Sequence, residues 1–302
     1  MMKIAIVGAH GLLGEACQRI LSALDEVQVI AITREQMDLK NLGEVEQFME
    51  PLEYDVCLYT AAISGLEECQ ENPIDAMKVN ALAPEIIAEV TEQKGAKMVY
   101  VSTDYVFSGE QEARPDEDSM AAPINAYGKS KYEGEQRVLQ KSTRALICRV
   151  SWLFGKGRQT FVDQVVKIVQ NNEEVSYIGD KYSVPNYCDD LAQALADLLI
   201  RTDGLEATGV IHLVNQAEPE SWYSYAEEVV HVANDLGLTK SYSQSILNTD
   251  LVDAHFFNEA RPKHTAMISK RLKSEFGIEI RYWKQGLEEY LQWKLDHDLT
   301  NA

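Results

Sequence analysis

The sequence predicts an α/β fold: a doubly wound parallel sheet with a smaller, interleaved C-terminal substrate domain. Three observations point there. Lys3 to Val7 is a short apolar run, rich in β-branched residues and without polar alternation, as in a strand buried on both faces of a parallel sheet. It runs directly into the turn Gly8-Ala9-His10-Gly11-Leu12-Leu13-Gly14, after which helical periodicity continues to Leu24. From there strand-like and helix-like stretches alternate up to about residue 155, the pattern of repeated βα units.

Taken in order, the further strands are expected at Val27 to Thr33, Asp55 to Ala61, Lys97 to Thr103 and Arg144 to Ser151, with helices near Leu42 to Glu53, Ile74 to Lys94 and Tyr127 to Gln140. In such sheets ligands bind outside the carboxyl ends of the strands. After about residue 155 the alternation weakens. Helices are expected around Thr160 to Gln170, Leu191 to Ile200 and Trp222 to Leu236, with a strand at Val210 to Val214. Residues 1–155 thus read as a dinucleotide-binding domain, to which 187–214 returns, and 156–302 as a substrate domain. Glu110 to Ser119 is an acidic, Pro-containing stretch that reads as a mobile flap.

Composition narrows the function. With 302 residues and 45% hydrophobic content, the chain can bury a large core. A formal net charge of −20 argues against nucleic acid or an anionic membrane as partner, because both demand a basic footprint. An anionic small substrate would need a local cationic pocket. No stretch approaches the length of a membrane span, and the N-terminal apolar run is interrupted by glycines, unlike a signal peptide. The five cysteines, Cys17, Cys57, Cys69, Cys148 and Cys188, form no C-x-x-C pair and read as reduced core residues of a cytoplasmic protein. The six histidines show no ligand spacing, so no metal site is expected.

Two motifs carry chemistry. Strand, glycine turn and helix in that order form a dinucleotide cradle: glycines admit the backbone close to a pyrophosphate at the positive end of a helix. The spacing here is G-x-x-G-x-x-G. The second motif is Tyr127-Gly128-Lys129-Ser130-Lys131, which places a phenol and an ammonium on one helical face, a turn apart. A neighbouring cation stabilises a phenolate, so the pair can deliver a proton to a developing alkoxide. On its own the same spacing also describes a solvated helix face. The end of the second strand is Thr33-Arg34, where an acid would repel a 2′-phosphate and a guanidinium suits one. NADPH is therefore expected over NADH, which remains possible.

The glycine turn, the strand end Ser102-Thr103-Asp104-Tyr105-Val106-Phe107 and the Tyr127/Lys131 pair resemble the extended short-chain dehydrogenase/reductases, which share a Rossmann-type sheet. Within them the likeness is greatest to the dTDP-4-dehydrorhamnose reductase family. It extends over nearly the whole chain, through Pro123 to Gly128, Arg149 to Trp152, Ser221 to Ala226 and Ala260-Arg261-Pro262. The resemblance implies reduction of a keto group on a nucleotide-linked 4-keto-6-deoxy sugar, in a monomer or homodimer.

It also implies roles. Tyr127 would donate the proton, Lys131 would lower its pKa and bond the nicotinamide ribose, and Thr103 would polarise the substrate carbonyl. Gly8, Gly11, Leu12, Leu13 and Gly14 would hold the pyrophosphate, with His10 as an added donor. Asp38 and Leu39 would flank the adenine, and Ala61, Ala62 and Ile63 the nicotinamide side. Asp104, Tyr105, Trp152 and Arg261 would meet the substrate. Some relatives bind a metal at a dimer interface through a glutamate two residues beyond the last glycine. That position is Ala16 here, so a metal-bridged dimer is not implied. Two alternatives share the fold: a nucleotide-sugar epimerase, and a non-catalytic NADP-binding protein like the regulatory subunit of methionine adenosyltransferase. Thr103 and Trp152 count against the regulatory protein.

Overall fold

The computed structural model describes residues 1–171, 173–200, 202–239, 246–251 and 259–298. The chain opens with β1 (Met2–Val7), α1 (Leu12–Leu21), β2 (Val27–Ile32), α2 (Leu42–Met49) and β3 (Val56–Tyr59). Two short helices, α3 (Leu66–Glu71) and α4 (Pro73–Met77), precede α5 (Ala83–Gln93), β4 (Lys97–Thr103), α6 (Ala126–Lys141) and β5 (Ala145–Val150). The second half contains β6 (Leu153–Phe154), α7 (Phe161–Gln170), β7 (Val175–Ile178), β8 (Tyr182–Ser183), β9 (Asn186–Tyr187), α8 (Cys188–Ile200), α9 (Thr202–Leu205) and β10 (Gly209–His212). It continues through β11 (Glu220–Ser221), α10 (Trp222–Asp235), β12 (Ile246–Thr249), α11 (Arg271–Phe276) and α12 (Trp283–Asp298).

The main sheet has six parallel strands in the order β10-β5-β4-β3-β1-β2. Both faces are covered, which is why its strands are continuously apolar. One face packs Leu13, Cys17 and Leu21 of α1 with Leu191, Leu195 and Leu198 of α8. The other packs Val45 and Met49 of α2 with Ile87 of α5 and Val138 of α6. The order reverses between β1 and β3, and the crevice at such a reversal is where doubly wound sheets bind ligands. β10 pairs with β5 at the far edge of the sheet. A second, aromatic-rich core joins α7, α10 and α12 around Phe154, Tyr187, Tyr225, Trp283 and Tyr290.

Two expectations change. The single helix foreseen from Ile74 to Lys94 is interrupted by a π-helical turn at Lys78–Leu82. Pro84 has no N–H to give to the carbonyl of Asn80, four residues back. Tyr100 Oη donates to that carbonyl instead at 2.6 Å, and Tyr59 Oη donates to the neighbouring Val79 carbonyl at 2.5 Å. Nor is Glu110 to Ser119 a free flap. Arg114 Nε and Nη2 donate to the carbonyls of Ala266 and Met267, and Ile268 N–H donates to the Pro115 carbonyl at 2.9 Å. The Glu117 carboxylate accepts from the amides of His212, Lys270 and Arg271.

His212 is fully buried, its Nδ1 2.9 Å from the Ile268 carbonyl, which requires Nδ1–H, and its Nε2 has no hydrogen-bond partner among the described residues. Burial, with the nearby Arg149 cation, pushes its pKa down to about 3. The unfolded chain takes up a proton here below the usual value near 6.5, and the folded chain does not. Stability supplied by this group is therefore present above pH 6.5 and lost as pH falls from there toward 3, at up to ~1.4 kcal/mol per pH unit. Urea unfolding between pH 7 and 5 should show this slope, and His212→Gln should flatten it. An equal slope in both proteins would assign the acid loss elsewhere.

Candidate active site

The site is built from the carboxyl ends of β1 to β5. β1 delivers the chain into Gly8, whose φ of +87° favours glycine and whose missing Cβ would stand 2.7 Å from the Ala61 amide nitrogen. The turn after β1 is thus pressed against the turn after β3. Gly11 caps α1 without a side-chain acceptor, leaving the first helical amides available at the positive end of the helix dipole.

A cleft of about 710 Å³ opens there. It is lined by Gly8, His10, Gly11, Leu12 and Leu13 from the turn, Thr33, Arg34, Asp38 and Leu39 beyond β2, Ala61 and Ala62 beyond β3, and Tyr127 and Lys131 of α6. Arg34 is exposed at the outer end, beside Glu35. A bare glycine turn, an uncapped helix start and an outer guanidinium suit a dinucleotide with a 2′-phosphate.

Gly14 and Ile63, expected among the cleft residues, do not line it. A Cβ on Gly14 would lie 2.2 Å from the Gly8 carbonyl oxygen, so this glycine lets helix and turn touch. Ile63 is buried against Leu39, Tyr127 and Val79. Asn80 clamps its backbone: Oδ1 accepts from Ile63 N–H at 3.0 Å, and Nδ2 donates to the Ile63 carbonyl at 2.9 Å and to Ser130 Oγ at 2.9 Å. Asn80 thereby ties the cleft floor to the helix of Tyr127, a role the sequence reading missed. Its signal was a proline four residues later inside a helical pattern. Also missed were Arg158, Gln159 and Thr160, which face the cleft from a loop holding Gly155 and Gly157 just after β6.

Helix α6 begins at a side-chain cap: Asn125 Oδ1 accepts from Gly128 N–H at 2.8 Å. Gly128 lets the helix meet the Tyr105 carbonyl, and Gly134 lets it meet Asn80, since a Cβ would lie 2.2 and 2.1 Å from those oxygens. Lys131, buried, donates to the Val101 carbonyl at 2.7 Å and lies 4.0 Å above the Tyr100 ring. Burial lowers its pKa to about 7, while the Glu135 carboxylate opposes that shift. Tyr127 is pushed well above the usual phenol value, first by burial and then by the Asp104 carboxylate. The nearby Thr103 hydroxyl works the other way. Among the largest influences on the phenol, the Thr103 hydroxyl is the one that favours the phenolate.

Thr103 closes β4 and also caps the turn that follows, accepting from Tyr105 N–H at 3.2 Å and donating to Asp104 Oδ1 at 3.1 Å. Asp104, expected to touch substrate, is fully enclosed: Oδ2 accepts from Ser183 Oγ at 2.8 Å and Thr265 Oγ1 at 2.6 Å. Its carboxylate is a tie beneath the site. Tyr105 meets Tyr127 edge-on with ring centroids 5.7 Å apart. Trp152, at the end of β5, has a φ of +36°, a strained conformation for a bulky residue. Its ring stacks on Tyr225 at 6.0 Å and lies 5.9 Å from Trp222. Arg261 lies over Trp222 and pairs with Glu67 at 3.2 Å.

This constellation can hold a dinucleotide and present a phenol, a threonine hydroxyl and an aromatic wall to a second ligand. Comparison with known proteins agrees with the geometry: residues 2–295 match the family model described as RmlD substrate binding domain. The chain belongs to that family. Relatives include the spore coat polysaccharide biosynthesis protein SpsK of Bacillus subtilis, 28% identical over 97% of this chain and 98% of that protein. The dTDP-4-dehydrorhamnose reductase of Sinorhizobium fredii is 26% identical over 97% of this chain and 98% of its own. Among solved structures, the dTDP-4-dehydrorhamnose reductase of Bacillus anthracis in complex with NADP aligns with a TM-score of 0.88 and 28% identity, over 97% of this chain and all of that one. A dTDP-glucose 4,6-dehydratase of Streptomyces venezuelae shares the fold alone, with a TM-score of 0.78 at 16% identity.

Proposed function

We infer that this member of the RmlD family is an NADPH-preferring reductase of a nucleotide-linked 4-keto-6-deoxy sugar, with dTDP-4-dehydrorhamnose as substrate and dTDP-L-rhamnose as product. The observation that carries this reading is the meeting of Tyr127 and Lys131 with the glycine cradle in one cleft. Bound NADPH supplies a hydride to the keto carbon. Tyr127 gives its phenolic proton to the oxygen that becomes the alkoxide, and a donor already oriented there needs no reorganisation during the step. Lys131, fixed by the Val101 carbonyl, keeps further N–H donors for the ribose hydroxyls. Tyr105, Trp152 and Arg261 are assigned to the nucleotide sugar.

The test is turnover: purified protein, NADPH and enzymatically generated dTDP-4-keto-6-deoxy sugars, with NADPH loss followed and the product identified by NMR. Stoichiometric consumption of NADPH supports the reductase. An altered sugar without net NADPH loss would indicate an epimerase, and tight NADPH binding with no turnover a regulatory protein.

Cofactor choice gives a separate expectation. Arg34→Ala should weaken NADPH by about 1.5–3 kcal/mol, the worth of a charge-assisted hydrogen bond, and leave NADH almost unchanged. Titration of both cofactors by fluorescence checks this; equal losses for the two would remove Arg34 from the 2′-phosphate site.

A further inference from the structure

Among the described arginines, Arg34 and Arg158 make no hydrogen bond or ion pair to another described residue, whereas the others are tied to carboxylates or backbone carbonyls. In a chain with a formal net charge of −20, such guanidiniums do not stand alone for want of carboxylates. Both line the same cleft. Arg34, at the outer end, is assigned above to a 2′-phosphate. Arg158 enters from the loop between β6 and α7 and has no assignment.

That loop is seated on the first turn of α1. Gly157 has a φ of +113°, which favours glycine, and a Cβ there would lie 2.1 Å from Glu15 Oε2. Lys156 donates to Asp189 Oδ2 at 3.0 Å, while Asp189 Oδ1 accepts from Arg19 of α1 at 2.5 Å. On the other side of Arg158, Thr160 N–H and Oγ1 donate to Asp163 Oδ2 at 2.6 and 2.7 Å and fix the start of α7. The loop is thus a strap pinned at 156–157 and at 160. Arg158 stands between the pins, one residue from the contact with α1, and shares the cleft with Gly11 and Leu12, where the helix begins without a side-chain cap. The ligand charge suited to such a helix start is a pyrophosphate. A guanidinium gives it paired N–H donors, and the carboxylate of Glu15 on the same turn makes a countercharge there more valuable.

We propose that Arg158 is a cofactor-binding residue that clamps the pyrophosphate of the dinucleotide from the 155–160 strap. The pyrophosphate is common to NADPH and NADH, so Arg158 sets affinity for both, while Arg34 sets the choice between them. This assignment rests on the cofactor reading of the cleft and is independent of which sugar is reduced.

Calorimetric titration of the full chain with NADPH, NADH, ADP-ribose and 2′-AMP tests it. Arg158→Gln should weaken NADPH, NADH and ADP-ribose by a common factor of about 10–100-fold, the worth of a charge-assisted hydrogen bond, and leave 2′-AMP within about twofold of wild type. That unchanged 2′-AMP affinity also shows that the variant is folded. Arg34→Ala should instead weaken NADPH and 2′-AMP and spare NADH and ADP-ribose. In the double variant the two losses for NADPH should multiply, because the phosphates are separate. Unchanged ADP-ribose affinity in Arg158→Gln overturns the clamp. So does a loss confined to NADPH and 2′-AMP, or a change seen only in KM for the nucleotide sugar. A wild type that binds neither dinucleotide overturns the clamp together with the cofactor reading. The expected binding pattern in a protein that turns over no keto sugar upholds the clamp and sinks only the reductase reading.

Discussion

Tyr127→Phe is expected to lower kcat by about 10²–10⁴-fold, the span that general acid catalysis supplies. The substitution deletes one oxygen. The ring keeps its edge-on contact with Tyr105 and its place beside Ile63, so folding and NADPH affinity should stay near wild type. What disappears is the proton proposed to neutralise the forming alkoxide. Lys131→Met should behave differently, weakening the cofactor as well as kcat, because this residue lines the cleft proposed for the ribose and is braced on Val101. Steady-state kinetics on the sugar that the wild type reduces, with NADPH titrations alongside, separates the two. Near-normal turnover by Tyr127→Phe would mean that another group supplies the proton.

A second large effect is expected at Glu135. This residue of α6 is completely buried and receives both Arg149 Nε, at 2.9 Å, and Nη2, at 2.6 Å, from β5. Arg149 is itself buried, with its guanidinium 5.1 Å from the Phe107 ring and Nη1 without a hydrogen-bond partner among the described residues. Glu135→Ala strands that cation and should cost about 3–5 kcal/mol in urea unfolding. Replacing both residues with Met removes the desolvation penalty along with the attraction, so the double variant should be much closer to wild type. A double variant as unstable as Glu135→Ala would show that shape, rather than stranded charge, sets the cost.

The parallel sheet was legible because its strands are buried on both faces and therefore continuously apolar: Lys97 to Thr103 matches β4 residue for residue. The cradle was legible because glycines mark close approach. The π-helical turn was not, since Lys78 to Leu82 has ordinary helix formers and its cause lies in Pro84 and in two tyrosines from distant strands. The acidic loop looked free because its partners lie about 150 residues further on. The Tyr127/Lys131 pairing on one helical face was legible from spacing; the carbonyl of Val101 on β4, which braces the ammonium, was not. The enclosure of Asp104 depends on Ser183 and Thr265 from distant parts of the chain, which no local pattern brings together.

The seam between the 110–119 loop and residues 266–271 bears on how the halves of the protein come apart. Five backbone groups of the late segment are engaged by Arg114, Pro115 and Glu117, and Glu117 also holds the amide of edge-strand residue His212. The stretch joining β4 to α6 is thus stitched to both the sheet edge and the C-terminal region. Amides of Ile268 and Lys270 should then exchange with solvent only when the sheet itself opens, as part of one cooperative unit. A nick within 111–113 would leave all of these contacts in place, and the cut chain would still unfold as a single body.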